Sequence, residues 1–527
     1  MNSRIFFIVI VFSFSLFFIS NLTFSEQSFE LYKLNDNPKK CNEIMDLNGD
    51  GIPDNLKPEM NIDWSYCDLS DIEFTSIESF DYKNSKRPVW VDGIADDAHI
   101  EIRSTFDRYL EKLLHFFEIP FDAESTYYSG INLKTANLEG ANLQNVKLVE
   151  SNMRFSNLNN VNAQNGNFAG TNFHYALLNN SDFSNSDFSH AMLYLAEMQN
   201  ANFSGADLSF ANLCDFNTDT APNAIKSHNV DFSNTILYKT HFVKSKLVNP
   251  QLDGAIIEET EFMSAELSGI DFSKTSFISA DFTAANLTNS NLSNLDLSDT
   301  RLIRANLSNA DLTGVDLSGK DLTGVNLTGV DLSQHDLSDT ILVEANLSNA
   351  NLTGVDLSGK DLTGVNLTGV DLSQHDLFDT ILVEANLSNA NLTGIDLSGK
   401  DLTETIMINA NLTDADLSHS NLHFTNLDGA ILSNSSFYKS QLTNANLSNL
   451  DLHDTILTNA NLTGATIHNS NLTGADLSNL VFIDTFIKDS NLSHSNLDGS
   501  NLLRTIIQYV DLSEANLTCK NNSICDI

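Results

Sequence analysis

The sequence predicts an all-β solenoid, a fold in which short extended segments and corners alternate so that the chain coils around an axis. Three observations predict this fold. A large apolar residue returns every five positions from Leu133 to Leu517, with one interruption. Asn, Asp, Ser and Thr, which suit tight corners, recur around that residue. The block 301–340 is repeated almost unchanged as 341–380, and 381–403 begins a third copy.

The repeating unit is five residues long, and we call its large apolar residue position i. A typical unit is Ala305-Asn306-Leu307-Ser308-Asn309, with a small residue at i−2, Asn or Asp at i−1, and Ser or Thr at i+1. We expect positions i and i−2 to point inward along the whole solenoid. Positions i−1, i+1 and i+2 are then expected to face solvent.

A period of five excludes a continuous helix or strand. On an α-helix, five residues advance by about 500°, so the apolar residues would spiral around the surface. In a continuous strand they would alternate between the two faces. A short extended piece followed by a corner places all of them on the inside, so the chain must coil.

This pattern resembles the pentapeptide-repeat family over residues 131–518. The resemblance implies a right-handed quadrilateral β-helix with four pentapeptides, about twenty residues, in each coil. At about 4.8 Å per coil, these residues would form about 19 coils and a rod about 90 Å long. The spacing from Leu213 to Phe232 is nineteen residues, so the register slips there, and we expect a loop at 215–229.

Two kinds of inward position break the small-residue pattern. With residue n stacked on residue n+20, Lys320, Lys360 and Lys400 fall in one column at i−2, and His335 and His375 fall in another. A buried unpaired ammonium is too costly to keep. The lysines are therefore expected either to extend outward beside the aspartate that follows each of them, or to form a cationic seam for an anionic partner.

Residues 1–25 are predicted to be a signal peptide. Arg4 provides the positive charge, the apolar run extends from Ile5 to Ile19, and small residues precede a cleavage point before Glu26. An uncleaved membrane anchor reaching Leu22 is the alternative. Either prediction makes the protein secreted or attached to the cell surface.

The segment 26–82 contains an acidic loop at 46–54 and a near-repeat coil at Cys67-Asp68-Leu69-Ser70. Oxygen ligands at alternate positions with a glycine at the turn are typical of a Ca²⁺ site. The loop resembles a thrombospondin type 3 calcium loop, and it departs from the EF-hand because Lys57 occupies the place of the bidentate Glu. The expected ligands of Ca²⁺ are Asp46, Asn48, Asp50, the carbonyl of Ile52, and Asp54.

The segment 83–130 is predicted to be a helical cap. Apolar residues between Asp96 and Glu118 fall on one face of a helix, and Pro120 follows its end. We expect this helix to cover the open end of the core, because an uncapped solenoid exposes apolar surface. The alternative is that this helix binds a partner.

Five cysteines accompany the predicted export. We expect two local disulfides, Cys41 with Cys67 and Cys519 with Cys525, the latter in the tail 519–527. Cys214 is then left over as an inert thiol, because no basic residue sits beside it in sequence to activate it.

The net charge of −41 opposes binding of nucleic acid and anionic lipid, and it favours cations or basic proteins. We expect an exported, non-enzymatic structural or binding rod with an acidic Asn/Ser/Thr-rich surface and a protein or cell-wall partner. The alternative is the role of the quinolone-resistance members of the family, which resemble DNA and shield type II topoisomerases. An enzyme, the third hypothesis, would need its site in 75–130 or in the 215–229 loop.

Overall fold

The computed structural model describes residues 133–214 and 227–517, together with four two-residue strands nearer the N-terminus. Those four strands are β1 (Tyr32–Lys33), β2 (Ile62–Asp63), β3 (Trp90–Val91) and β4 (Ile94–Ala95). Strand β1 pairs with β2 in parallel, and β3 pairs with β4 in an antiparallel hairpin. The predicted signal peptide, calcium loop, helix 96–118 and disulfides lie outside the described residues.

From Leu133 onward the chain forms a four-sided coil. Asn306 bridges to Asn326, and Asn326 bridges to Asn346, always in parallel and twenty residues apart. The strands within the coil pair in the same parallel way, twenty residues apart. They are β5 (Ser227–His228), β6 (Leu247–Val248), β7 (Ile256–Glu258), β8 (Ser276–Ile278), β9 (Thr466–His468), β10 (Phe486–Lys488) and β11 (Ile506–Gln508). The expected four pentapeptides per coil are confirmed. The right hand of the coil stays a prediction.

The corners explain why Asn, Asp and Gly recur in the sequence. Residue i+2 takes a left-handed conformation, with φ of 54° at Asn309 and 70° at Gly329, and short polar residues or glycine tolerate that conformation best. The backbone N–H of Ala310 then donates to the carbonyl of Leu307 and closes the corner (2.9 Å). Each pentapeptide therefore turns the chain by one side of the square.

The core is one continuous column of side chains. Position i is buried along the rod, as predicted, with partial exposure at the last coil. Position i−2 is buried at most coils, and its half-buried residues include His335, Lys360, His375 and Lys400. Phenylalanines fill the first half, and Phe242, Phe262 and Phe282 stack with ring centroids 5.0 and 4.9 Å apart. Leucines dominate beyond Phe282. Because each coil packs only on its neighbours, stability accumulates along the axis.

The slip in register is an insertion within one coil. Asn202 bridges to Asp231 and Asn212 bridges to His241, twenty-nine residues apart instead of twenty, so this coil contains nine additional residues. Ser227 and His228 already belong to the coil as β5, although they fall inside the predicted loop 215–229. The ladder therefore resumes in register after the insertion.

Candidate functional site

One face of the rod carries a column of carboxylates. Twenty-residue stacking places one aspartate above another in seven successive coils, and all seven are exposed. We call this set the acidic column, and its members are Asp296, Asp316, Asp336, Asp356, Asp376, Asp396 and Asp416. Adjacent members occupy equivalent positions in neighbouring coils, at a rise of about 4.8 Å per coil.

Each carboxylate of the column is fixed by its own pentapeptide. In Asp356, Oδ1 accepts the backbone N–H of Ser358 (2.9 Å) and its hydroxyl (2.6 Å). These two hydrogen bonds, the hydroxyl's first, hold the pKa of Asp356 below its usual range, and Ser318 acts on Asp316 in the same way. Within the described residues nothing donates to the second oxygen of either carboxylate. The column therefore presents ionised oxygens to solvent.

The backbone ladder is open beneath the acidic column. Within the described part of the chain, no β-bridge joins successive members from Asp296 to Asp396. On the opposite face of the same coils, the bridges from Asn306 to Asn386 are all present, and Leu307 N–H donates to the Asn326 carbonyl at 2.7 Å. The two faces thus differ in how closely their coils approach.

A groove of about 580 Å³ lies where the ladder is open between two of these coils. Its lining includes the carboxylates of Asp336, Asp339 and Asp356, and its other walls include His335 and Val355. Because His335 and Val355 are inward positions, part of the wall belongs to the edge of the core. Four aspartates and one lysine, Lys360, line the groove, so its charge is net negative.

The inward lysines lie behind this face. Lys320 is only 8% exposed, and its ammonium donates to the carbonyls of Ser298 and Thr300, the latter at 3.2 Å. Lys360 donates to the carbonyl of Leu337, and Lys400 to that of Thr380 (3.2 Å). Burial lowers the pKa of Lys320, and the carboxylates of nearby aspartates oppose that shift. The lysines do stack two coils apart, as expected.

For Lys320, both expectations for the head group are wrong. Lys320 neither reaches Asp321 nor forms an exposed cationic seam, because the carbonyl oxygens of the preceding coil satisfy its ammonium. Among the described residues, no ion pair joins any of the three lysines to the aspartate that follows it. The buried backbone, and not a surface carboxylate, supplies the partners.

Bulky inward side chains accompany the open ladder. His335 and His375 occupy i−2 beneath the acidic column, where Ala or Val stands beneath the Asn306 column. His375 Nε2 lies 2.9 Å from the Leu352 carbonyl, and burial lowers the pKa of His335. Asp396 and Asp416 do form a bridge, above Ile395 and Ala415. Stacked aspartates alone therefore do not open the ladder.

A comparison with protein families decides the classification. The family described as Pentapeptide repeats (8 copies) matches more than half of the chain. The matched residues are 136–174, 167–205, 181–217, 260–294, 280–319, 321–359, 361–399, 401–434, 440–479 and 488–518. The chain belongs to the pentapeptide-repeat family. The match is to a repeat family and not to a family of enzymes.

Several solved structures are similar to this pentapeptide-repeat protein. A trypsin-treated variant of QnrB1, a plasmid-mediated fluoroquinolone resistance protein, is 22% identical over 42% of this chain and 89% of its own, with a TM-score of 0.16. HetL from the cyanobacterium Nostoc sp. strain PCC 7120 is 19% identical over 67% of this chain and 94% of its own, with a TM-score of 0.09. AT2G44920 from the Arabidopsis thaliana thylakoid lumen is 27% identical over 24% and 66%, with a TM-score of 0.08. No curated protein matches the chain.

Sequence reasoning about this pentapeptide-repeat protein missed the acidic column. The stacking of residue n on residue n+20 places Lys320 and His335 in columns. The same stacking, starting from Asp296, predicts the acidic column. Within residues 133–214 and 227–517, no group of three or more His, Cys, Asp or Glu side chains is arranged to hold a metal ion. The same residues contain no helix long and apolar enough to cross a membrane. Cys214 is buried, with its Sγ 3.8 Å from the carbonyl oxygen of His241.

Proposed function

We propose that the protein is a non-enzymatic binding rod whose acidic column binds a polycationic partner, such as a Lys/Arg-rich protein segment. The observation that supports this proposal is the column itself, with seven exposed carboxylates at one position of successive coils. A flexible basic segment lying along the axis would meet one carboxylate per coil. The groove beside Asp336 and Asp356 would receive its longer side chains.

The strength of such binding is additive and salt-dependent. One exposed charge pair at about 4 Å is worth about 1 kcal/mol in water, and added salt screens it. Removing three carboxylates would then weaken binding by about tenfold or more. Replacing Asp by Asn leaves the fold intact, because Asn306 and Asn326 fill the equivalent position on the opposite face and accept the same hydrogen bonds.

The test measures the affinity of the full chain for a polylysine peptide at several salt concentrations. The variant Asp316→Asn/Asp336→Asn/Asp376→Asn removes three charges from the acidic column. The control Asp311→Asn/Asp331→Asn/Asp371→Asn removes three charges from another face of the same coils. We expect a loss of about tenfold for the first variant and under about threefold for the control. Equal losses would show that net charge, and not the column, binds the peptide.

We further propose that this rod acts outside the cytoplasm, secreted or at the cell surface. The apolar run Ile5–Ile19 after Arg4 supports export. The test is to determine the subcellular fraction and the N-terminal residue of the protein. Export with cleavage predicts Glu26 as the first residue, and an uncleaved anchor predicts Met1 in the membrane fraction.

The second candidate is a DNA mimic that shields a type II topoisomerase. The regular carboxylates of the acidic column favour it, since a topoisomerase binds a regularly charged polyanion. Recovery of intact Met1 from the soluble cytoplasm would place this candidate first. The direct test adds the protein to a DNA supercoiling assay inhibited by a quinolone and measures whether activity returns.

For the loop 46–54, the proposal is one weak calcium site. Alternating oxygens at Asp46, Asn48 and Asp50 support it, and Ile52 and Asp54 would complete the ligand set. Calcium titration of the full chain should show saturable binding that Asp50→Ala abolishes. A chain without saturable binding at millimolar calcium would refute the site.

A further inference from the structure

A second face of the rod carries no charge over seven coils. We call it the neutral face, and it comprises 285–289, 305–309, 325–329, 345–349, 365–369, 385–389 and 405–409. These seven pentapeptides contain no Asp, Glu, Lys, Arg or His, on a chain with a net charge of −41. Parallel bridges join Asn286 to Ile406 through every intervening coil, so the face is continuous.

The asparagines of the neutral face hold their amide groups in one orientation. Asn306 Oδ1 accepts the backbone N–H of Ser308 (3.1 Å), and Asn326 Oδ1 accepts that of Thr328 (3.0 Å). The oxygen is thereby used inside the pentapeptide, and the NH₂ group is directed away from it. Within the described residues, five of these NH₂ groups have no hydrogen-bond partner, those of Asn306, Asn326, Asn346, Asn366 and Asn386.

Asparagines on the neighbouring face behave differently. Asn351 Nδ2 donates to Asp331 and Asn391 Nδ2 donates to Asp371, each at 2.9 Å. Asp and Asn alternate from position 331 to 391 of that column, so these asparagines find their acceptors on the same face. The neutral face lacks the aspartates and so keeps its donors available.

The hydroxyl groups of the neutral face supply acceptors. Thr328 Oγ1 donates to Asn326 Oδ1 (2.6 Å) and lies 3.1 Å from Ser348 Oγ in the next coil. Because these hydroxyl protons are donated to groups of the same face, lone pairs of the hydroxyl oxygens remain for a ligand. From Asn306 to Asn386, donors and acceptors therefore recur at each of the five coils, about 4.8 Å apart along a straight line.

We infer that the neutral face binds an extended, uncharged polysaccharide. Sugar hydroxyls both donate and accept hydrogen bonds, and they recur along a linear glycan as the amide and hydroxyl groups recur along this face. The lack of charge removes electrostatic attraction for an ionic partner, and the acidic surface around it repels polyanions. Ile406, which is 37% exposed, adds apolar surface at one end for the C–H groups of a sugar ring.

The size of the face argues against a second copy of this chain as the occupant. Seven coils of about 4.8 Å and a side of about three extended residues give roughly 340 Å². A stable protein–protein interface needs about 800 Å² on each partner. A single glycan chain, in contrast, fits a strip of these dimensions. This inference goes beyond the proposed cation binding and rests on a different face.

The test is co-sedimentation of the full chain with microcrystalline cellulose and with chitin, beside alginate as an anionic control. The variant Asn326→Asp/Asn346→Asp/Asn366→Asp removes three donors, and aspartates stack at the equivalent position of the opposite face in the acidic column. The control Thr313→Asp/Thr353→Asp/Thr393→Asp adds the same charge on the adjacent face. A second variant, Thr328→Val/Thr368→Val, removes hydroxyl acceptors without adding charge.

We expect saturable binding to cellulose or chitin that survives high salt, with none to alginate. The asparagine variant should bind at least about tenfold more weakly, and the control within about twofold of the wild type. If the asparagine variant fails to fold, the Thr→Val variant is expected to show the same direction of change. The inference is overturned if neither glycan binds, if both triple variants lose binding equally, or if the face adsorbs to ice crystals and to no glycan.

Discussion

Asn326 and Asn346 form a parallel β-bridge, and they do so on coils whose opposite face is open. In the described residues 227–517, Asp336 and Asp356, which stack on those coils, form no bridge with each other. The open face carries carboxylates where the closed face carries amides, and His335 stands behind Asp336 where a valine stands behind Asn326. Opposed like charges are destabilising in paired strands.

Neutralising the acidic column should therefore stabilise the rod. Asp336→Asn with Asp356→Asn removes a pair of stacked like charges, and we expect a gain of roughly 0.5–1 kcal/mol in the free energy of unfolding. Urea denaturation measures this gain, which should shrink as salt is added to both proteins. Hydrogen exchange at the Leu337 amide should slow at the same time. A less stable double variant would show that the carboxylates do not strain this face.

Burial of position i predicts a large cost for a charge there. Leu357 is 1% exposed, so Leu357→Asp should lower the free energy of unfolding by about 3 kcal/mol or more. Thr353→Asp, at an exposed position of the same coil, should cost under about 0.5 kcal/mol. Thermal melts of the two variants provide the measurement. Similar melts for both would contradict the assignment of inward positions.

Alanine substitutions at two glycines distinguish the free-energy cost of backbone strain from that of steric crowding. Gly354 has φ of 79° with open space around it, so Gly354→Ala should cost about 1 kcal/mol through conformation alone. A methyl at Gly329, φ 70°, would lie 2.6 Å from Asn309 Oδ1, and Gly329→Ala should cost about 2 kcal/mol. Urea denaturation is the measurement. In an Asn309→Gly background, Gly329→Ala should cost no more than Gly354→Ala, and an unchanged cost would exclude crowding by that side chain.

The buried lysine predicts a particular dependence on pH. Because the pKa of Lys320 in the folded state is below its ordinary 10.5, the unfolded chain holds this proton more tightly as pH rises toward 10.5. The wild type should thus gain stability relative to Lys320→Met in that range. At neutral pH, where both states are protonated, the Met variant should be at least as stable. Urea titrations from neutral pH to 10.5 test this, with Lys488→Met, a 36% exposed lysine, as the control.

The sequence alone predicted the structural features that repeat in every pentapeptide. It did not predict the contacts that depend on the distance between neighbouring coils. The inward direction of Leu357 and the corner at Asn309 follow from the residue types within a single pentapeptide. The partners of Lys320 do not, since its bonds to the Ser298 and Thr300 carbonyls depend on how the preceding coil lies. The open ladder at Asp336 is likewise a property of neighbouring coils. The insertion between Leu213 and Phe232 could be located from sequence, but its nine-residue size required the pairing of Asn202 with Asp231.

The blocks 301–340 and 341–380 differ at five positions, and each spans two complete coils. A recombination event that copies or deletes such a block changes the length of the rod without disturbing its register. Every copy adds two carboxylates to one face and two uncharged pentapeptides to another. Valency on both faces would then vary in fixed steps between strains, and avidity would rise or fall with the number of copies inherited.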